Sequence, residues 1–306
     1  MGFTLIASLA IAGVAYGMRY WAERARRDRS ALVGLYLIHG IISSLLTVAG
    51  LALAVNGRTG GWVILAVGLG IGLPLFRPVR QVIARFTPMD PTSPIDASGL
   101  SIVIGFTALL GGLALLTPDP DDVEGSVDYW LLAAQALLFV SIALACVGLG
   151  FRRTAAQTAQ RLGLVPIRWR PLLMVLAFLV LCFVVNSIGG VLTQALQPDF
   201  SDDIDEGLEE LTADVQSPAG AVALGASAGI GEELLFRGAL QPRFGIFITS
   251  LLFALSHTNY GLSFITLGVF LMGVVLGYQR QRYGTTYAII THAVFNFIVV
   301  LARASA

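Results

Sequence analysis

Hydrophobic residues in this chain come in long runs, broken by short polar segments. About 20 apolar residues are needed to cross the hydrocarbon core of a bilayer. Runs near that length occupy residues 3–20, 31–55, 61–76, 99–116, 129–151, 171–196 and 219–240, followed by 244–256, 262–278 and 285–301. The run 244–256 is short, so it is tilted, extended by its flanks, or incomplete. The pattern predicts an all-α, polytopic transmembrane helix bundle of about 8–10 spans.

The polar segments alternate in sign. Arg19, Arg24, Arg26, Arg27 and Arg29 follow the first run, Arg77, Arg80 and Arg85 the third, and Arg152, Arg153, Arg161, Arg168 and Arg170 the fifth. Arg243 follows the seventh run, and Arg280 with Arg282 the ninth. After the fourth run come Asp119, Asp121, Asp122, Glu124 and Asp128, and after the sixth an acidic stretch at 199–214. The excess of Arg on cytoplasmic loops then places both termini outside. The first run has no basic residue ahead of it and is expected to be a retained anchor rather than a removed signal. Two segments have open readings. Residues 78–86 are either an interfacial segment or an ordinary basic loop, and 199–214 is expected as a solvated acidic loop, with a surface helix or lid as the alternative.

Composition narrows the class. Over 306 residues the mean hydropathy is +0.79, with 56% hydrophobic and only 12% charged residues, which excludes an ordinary soluble domain. An integral, multi-pass membrane protein is expected, in a bacterial cell membrane, with the bilayer itself as a partner. Cys146 and Cys182 lie within apolar runs, so a disulfide framework or Cys-rich metal site is not expected. The Arg clusters are short and flank spans, so nucleic acid is not an expected partner.

Against this background, two acids and one arginine fall well inside an apolar run: Glu232, Glu233 and Arg237. Each costs on the order of 2.5–3.5 kcal/mol at mid-membrane, so such groups need partners or a wet cavity. Glu233 and Arg237 are spaced i, i+4 with the acid first, the favourable order for a pair. Glu232 is turned about 100° away on the helix. This assigns Glu233–Arg237 a structural role and Glu232 a chemical one; a purely structural role for all three is the alternative. His257 lies one turn after Phe253, and His292 one turn before Asn296. His39 has no such companion and is read as structural.

The series Glu232-Glu233-Leu-Leu-Phe-Arg237, Phe253-Ala-Leu-Ser-His257 and His292-Ala-Val-Phe-Asn296 resembles the CPBP intramembrane proteases, which include the CAAX prenyl endopeptidases. Met272-Gly273-Val-Val-Leu-Gly277 resembles that family's small-residue helix. The likeness covers about residues 162–302 and divides the chain into an N-terminal transmembrane region, 1–160, of open role, and a catalytic region, 161–306. It implies an endopeptidase acting on a membrane-anchored peptide or protein. Glu232, helped by His257, would activate a water, and His292 with Asn296 would stabilise the oxyanion. A zinc ion held by Glu232, His257 and His292 is the alternative; the preferred reading requires no cofactor. Two other functions compete: a non-catalytic scaffold or immunity-type protein of the same fold, and an ion-coupled transporter.

Overall fold

A computed structural model describes residues 2–116, 128–257 and 260–304. The acidic residues Asp119, Asp121, Asp122 and Glu124 lie outside the described residues. Every regular element among those described is helical, as the bilayer demands: with no water to satisfy backbone N–H and C=O groups, helices close their own bonds. The N-terminal region comprises α1 (Gly2–Arg24), α2 (Arg29–Val55), α3 (Gly60–Gly72), α4 (Arg77–Ile83), α5 (Pro94–Leu116) and α6 (Tyr129–Val147). A short α7 (Ala155–Leu162) leads to α8 (Trp169–Leu196) and α9 (Pro198–Thr212). The series ends with α10 (Pro218–Glu232), a π-helix (Glu233–Leu240), α11 (Gln241–Leu255), α12 (Phe264–Tyr283) and α13 (Thr285–Arg303).

Local sequence fixes several starts. The Asp28 carboxylate accepts from the Ser30 and Ala31 N–H groups at the head of α2, and Asp128 accepts from Leu131 at the head of α6. Thr154 and Gln157 form a reciprocal capping box on α7. Ser217 caps α10, with Pro218 preset for the first turn.

Among the described residues, six helical stretches are long and apolar enough to cross a membrane, and the bent pair α3–α4 makes up to seven. The count of ten runs in the sequence is higher than this criterion gives, for identifiable reasons. The 20-residue α12 carries Gln279, Arg280, Gln281 and Arg282 at its end, which leave too short an apolar stretch ahead of them. The chain from α3 to α4 bends by 91°, so the run 61–76 is a broken helix, and 77–83 is a short helix set across it. Arg80 holds that corner, donating to the carbonyls of Pro74, Leu75 and Pro91.

The runs 219–240 and 244–256 join into one helical stretch, Pro218–Leu255, counted as a single span by length. Geometry shows that it doubles back. The Arg237 guanidinium lies 4.1 Å from the Phe253 ring centroid, whereas a straight helix would hold the two residues about 24 Å apart. The reversal falls at Gly245, whose φ of 77° and ψ of 173° suit only glycine. Residues 246–255 therefore form the short return arm of a hairpin.

The acidic stretch is not the solvated loop expected. Residues 198–212 are the helix α9, and its apolar side explains why: Ile204 is buried, and Phe200 packs on Gly261. One large core cluster joins Met89, Leu100, Val103, Ala143 and Val147 to Leu234, Phe236, Phe244 and Phe253. The hairpin is thus enclosed by helices from both halves of the chain. Large apolar side chains left exposed on α2 and α8, such as Leu45, Val48, Leu176 and Val191, face outward, as expected where lipid is the solvent.

Candidate active site

The site grows from the close approach of α10 and α13. A side-chain carbon at Gly225 would sit 2.5 Å from the Ala293 carbonyl oxygen, and one at Gly229 would sit 2.9 Å from that of Ile289. Glycines here let two backbones nearly touch, the small-residue packing of membrane helices. The approach brings the end of α10 against His292. On the opposite side, Gly231 meets Ala136 of α6.

The next residues, Glu233–Leu240, take up π-helical geometry, an arrangement that concentrates at functional sites. Glu233 and Arg237 are essentially sealed from solvent, at 0% and 1% exposure. Glu233 Oε1 lies 3.1 Å from Arg237 Nη1 and 2.9 Å from His292 Nδ1. One carboxylate therefore joins the hairpin to α13. Arg237 also donates from Nη2 to the Gly273 carbonyl on α12 at 3.4 Å, and its face covers the Phe253 ring.

Glu232 is placed differently. It is 6% exposed and has no charged partner closer than 4.0 Å; its Oε2, like Glu233 Oε2, is buried without a hydrogen-bond partner. The nearest basic atom is His292 Nε2 at 4.0 Å. That separation is too long for a direct bond and is one that a single water can bridge.

His257 follows the return arm. Its Nδ1 donates to the Phe253 carbonyl at 2.9 Å, which leaves Nε2 as the acceptor in a neutral ring. The Phe253 ring stands between the two histidines, 4.9 Å from the His257 centroid and 5.8 Å from that of His292. Tyr260 stacks on His257, with ring centroids 6.0 Å apart. Asn296 is half-buried one turn beyond His292 on α13.

The structure thus joins Glu233, Arg237 and His292 directly, sets Glu232 within one water of His292, and tethers His257 through Phe253. His39 lies apart, bonded to the Leu35 carbonyl and to Ser98 Oγ, which ties α2 to α5.

Residues 214–298 match the family described as type II CAAX prenyl endopeptidase Rce1-like. The resemblance drawn from the motifs therefore holds over the stretch that carries all three. No curated protein and no solved structure matches the chain. The match spans less than a third of the chain, and the apolar helices around it describe a multi-pass integral membrane protein.

Two features escaped the sequence. Gln241 donates to the Gly277 carbonyl at 2.9 Å, one turn along from the Arg237–Gly273 contact. Its signal was present, since Glu233, Arg237 and Gln241 repeat every fourth residue. The Glu233–His292 bond crosses 59 positions of sequence, and no local spacing announces it. The zinc reading needs Glu232, His257 and His292 to converge on one point. Among the described residues, no three of His, Cys, Asp and Glu group closely enough to hold a metal ion.

Proposed function

We propose that this chain is an intramembrane endopeptidase that hydrolyses a peptide bond of a membrane-anchored peptide or protein with a water activated by Glu232. One observation carries the reading: a buried, unpartnered carboxylate oxygen of Glu232 stands 4.0 Å from His292 Nε2, with His292 locked in place by Glu233. A carboxylate left without a partner in such a setting is costly, and water or substrate is the natural partner.

The steps follow from these atoms. Glu232 takes a proton from the water as its oxygen bonds to the scissile carbonyl carbon. His257 Nε2, free because Nδ1 is held by Phe253 O, accepts the second water hydrogen and orients the lone pair. The carbonyl electrons move to oxygen, where His292 Nε2–H and the Asn296 amide donate to the oxyanion. Donation from both nitrogens of His292 requires the imidazolium form, with Nδ1–H on Glu233. Two carboxylates, Arg237 and an imidazolium then sum to zero charge, the state a buried cluster favours. Collapse of the intermediate breaks the C–N bond, and protonated Glu232 returns its proton to the departing amine.

The test is cleavage by the full chain in proteoliposomes of a peptide bearing a membrane anchor, scored by mass of the products. Glu232→Gln is expected to lower kcat by about 10²–10⁴-fold while the protein stays folded. Activity in the purified protein is expected to survive dialysis against a chelator. Full cleavage by the Glu232→Gln variant would sink the role given to Glu232; loss on chelation with recovery on zinc would replace water activation by carboxylate with activation by metal.

A further inference from the structure

A second cluster of charge lies at the end of the bundle where the hairpin turns. Arg161 on α7 donates from Nη1 to the carbonyl of Gly238, in the last turn of the π-helix, at 3.1 Å. Arg280, in the last turn of α12, reaches beneath the loop after α7: a side-chain carbon at Gly163 would sit 3.6 Å from its Nε. That Nε–H is buried and has no hydrogen-bond partner. Arg243, at the hairpin tip, and Arg153, bonded to the Val147 carbonyl, complete the group.

Acids are scarce here. Asp96 is occupied by Arg243, and Glu23 by Arg19, Arg26 and Arg152. Arg153, Arg161 and Arg280 form no ion pair with an acid among the described residues. Burial, and then the charges of Arg243, Arg153 and Arg280, push the Arg161 guanidinium down to about 10, well below the usual range for arginine. Ordinary loop arginines beside a membrane are hydrated and repel little. These are part-buried, mutually repelling, and hold one buried donor without a partner, so an anion would relieve the group.

We propose that Arg161, Arg243 and Arg280 form a binding site for a phosphate group, presented by an anionic phospholipid or as free phosphate. Guanidinium groups fit phosphate oxygens through paired N–H donors, and basic pockets between membrane helices are natural seats for lipid head groups. The site sits at the opposite end of the π-helix from Glu233 and is independent of the catalytic reading.

The experiment uses the purified full chain in detergent, with phosphatidylglycerol, phosphatidylcholine or inorganic phosphate added. Thermal unfolding and native mass spectrometry are the readouts. Phosphatidylglycerol is expected to raise Tm and remain bound, and phosphatidylcholine to do neither. Arg280→Gln, which breaks no observed bond, is expected to weaken retention about fivefold. Arg161→Gln should weaken it as well, but it also frees the Gly238 carbonyl, so Arg280→Gln is the deciding variant. Arg58→Gln, at an exposed turn between α2 and α3, is expected to match the unaltered protein. A response to inorganic phosphate alone would make free phosphate the ligand. Equal responses to both lipids, no response to any addition, or an Arg280→Gln protein indistinguishable from the unaltered one would overturn the proposal.

Discussion

Glu233 ties the hairpin to α13 through a guanidinium on one side and an imidazole on the other. Its complete burial makes this arrangement all-or-nothing: an acid at 0% exposure that loses its cation cannot recruit water. Arg237→Leu is therefore expected to destabilise the fold by about 3–5 kcal/mol, read as a fall in Tm in micelles. Glu233→Leu alone should cost a comparable amount, since it strands Arg237. The double substitution is expected to cost well below the sum, because neither charge is then left uncompensated. Additive losses would mean that the two side chains do not work as a pair. Glu232 should behave in the opposite way, its replacement by Gln changing turnover while leaving Tm nearly untouched.

The helices set how far these residues can move. Backbone contact at Gly225 leaves no room for a methyl group against Ala293 O, and a backbone carbonyl cannot swing aside as a side chain can. Gly225→Ala is expected to cost about 1–3 kcal/mol and to draw His292 away from Glu233, so that kcat falls more than the loss of folded protein explains. Gly190→Ala on α8, where a side-chain carbon meets nothing within 4 Å, is the matching control and should change neither. At this scale much was legible in the sequence. The runs 31–55, 129–151 and 285–301 became α2, α6 and α13 because an unbroken apolar run in lipid has little choice but helix. The i, i+4 spacing of Glu233 and Arg237 survived the π-helical pitch, and their ion pair with it. Less legible was anything decided by tertiary contact. Gly245 gave no hint of reversing the chain, and the acidic residues of α9 favoured a solvated loop over the surface helix that stood as its alternative. The His292–Glu233 bond depends on α10 meeting α13, which no short window of sequence contains.

At the scale of the whole molecule, the two halves do not separate where the family resemblance does. Phe139 of α6 lies edge-on to Phe236 at 6.3 Å, and Phe236 to Phe253 at 5.3 Å, so a helix from the N-terminal half packs directly behind the site. Phe244 at the hairpin tip rests against Gly99 of α5, and Arg243 pairs with Asp96 of the same helix. Removing residues 1–160 would strip apolar cover from Leu234, Phe236 and Phe244 and leave Arg243 without its acid. Lipid could replace part of the apolar cover, but it offers no substitute for the aspartate in that position. A fragment of residues 161–306 is therefore expected to aggregate or to elute as a broad species on size-exclusion in detergent, without cleaving an anchored peptide. Co-expression with residues 1–160 is expected to restore a single peak and cleavage, because the break falls after the exposed Gln160 of the short α7 rather than inside a span. A 161–306 fragment that is monodisperse and active by itself would show that the first six helices serve something other than the site.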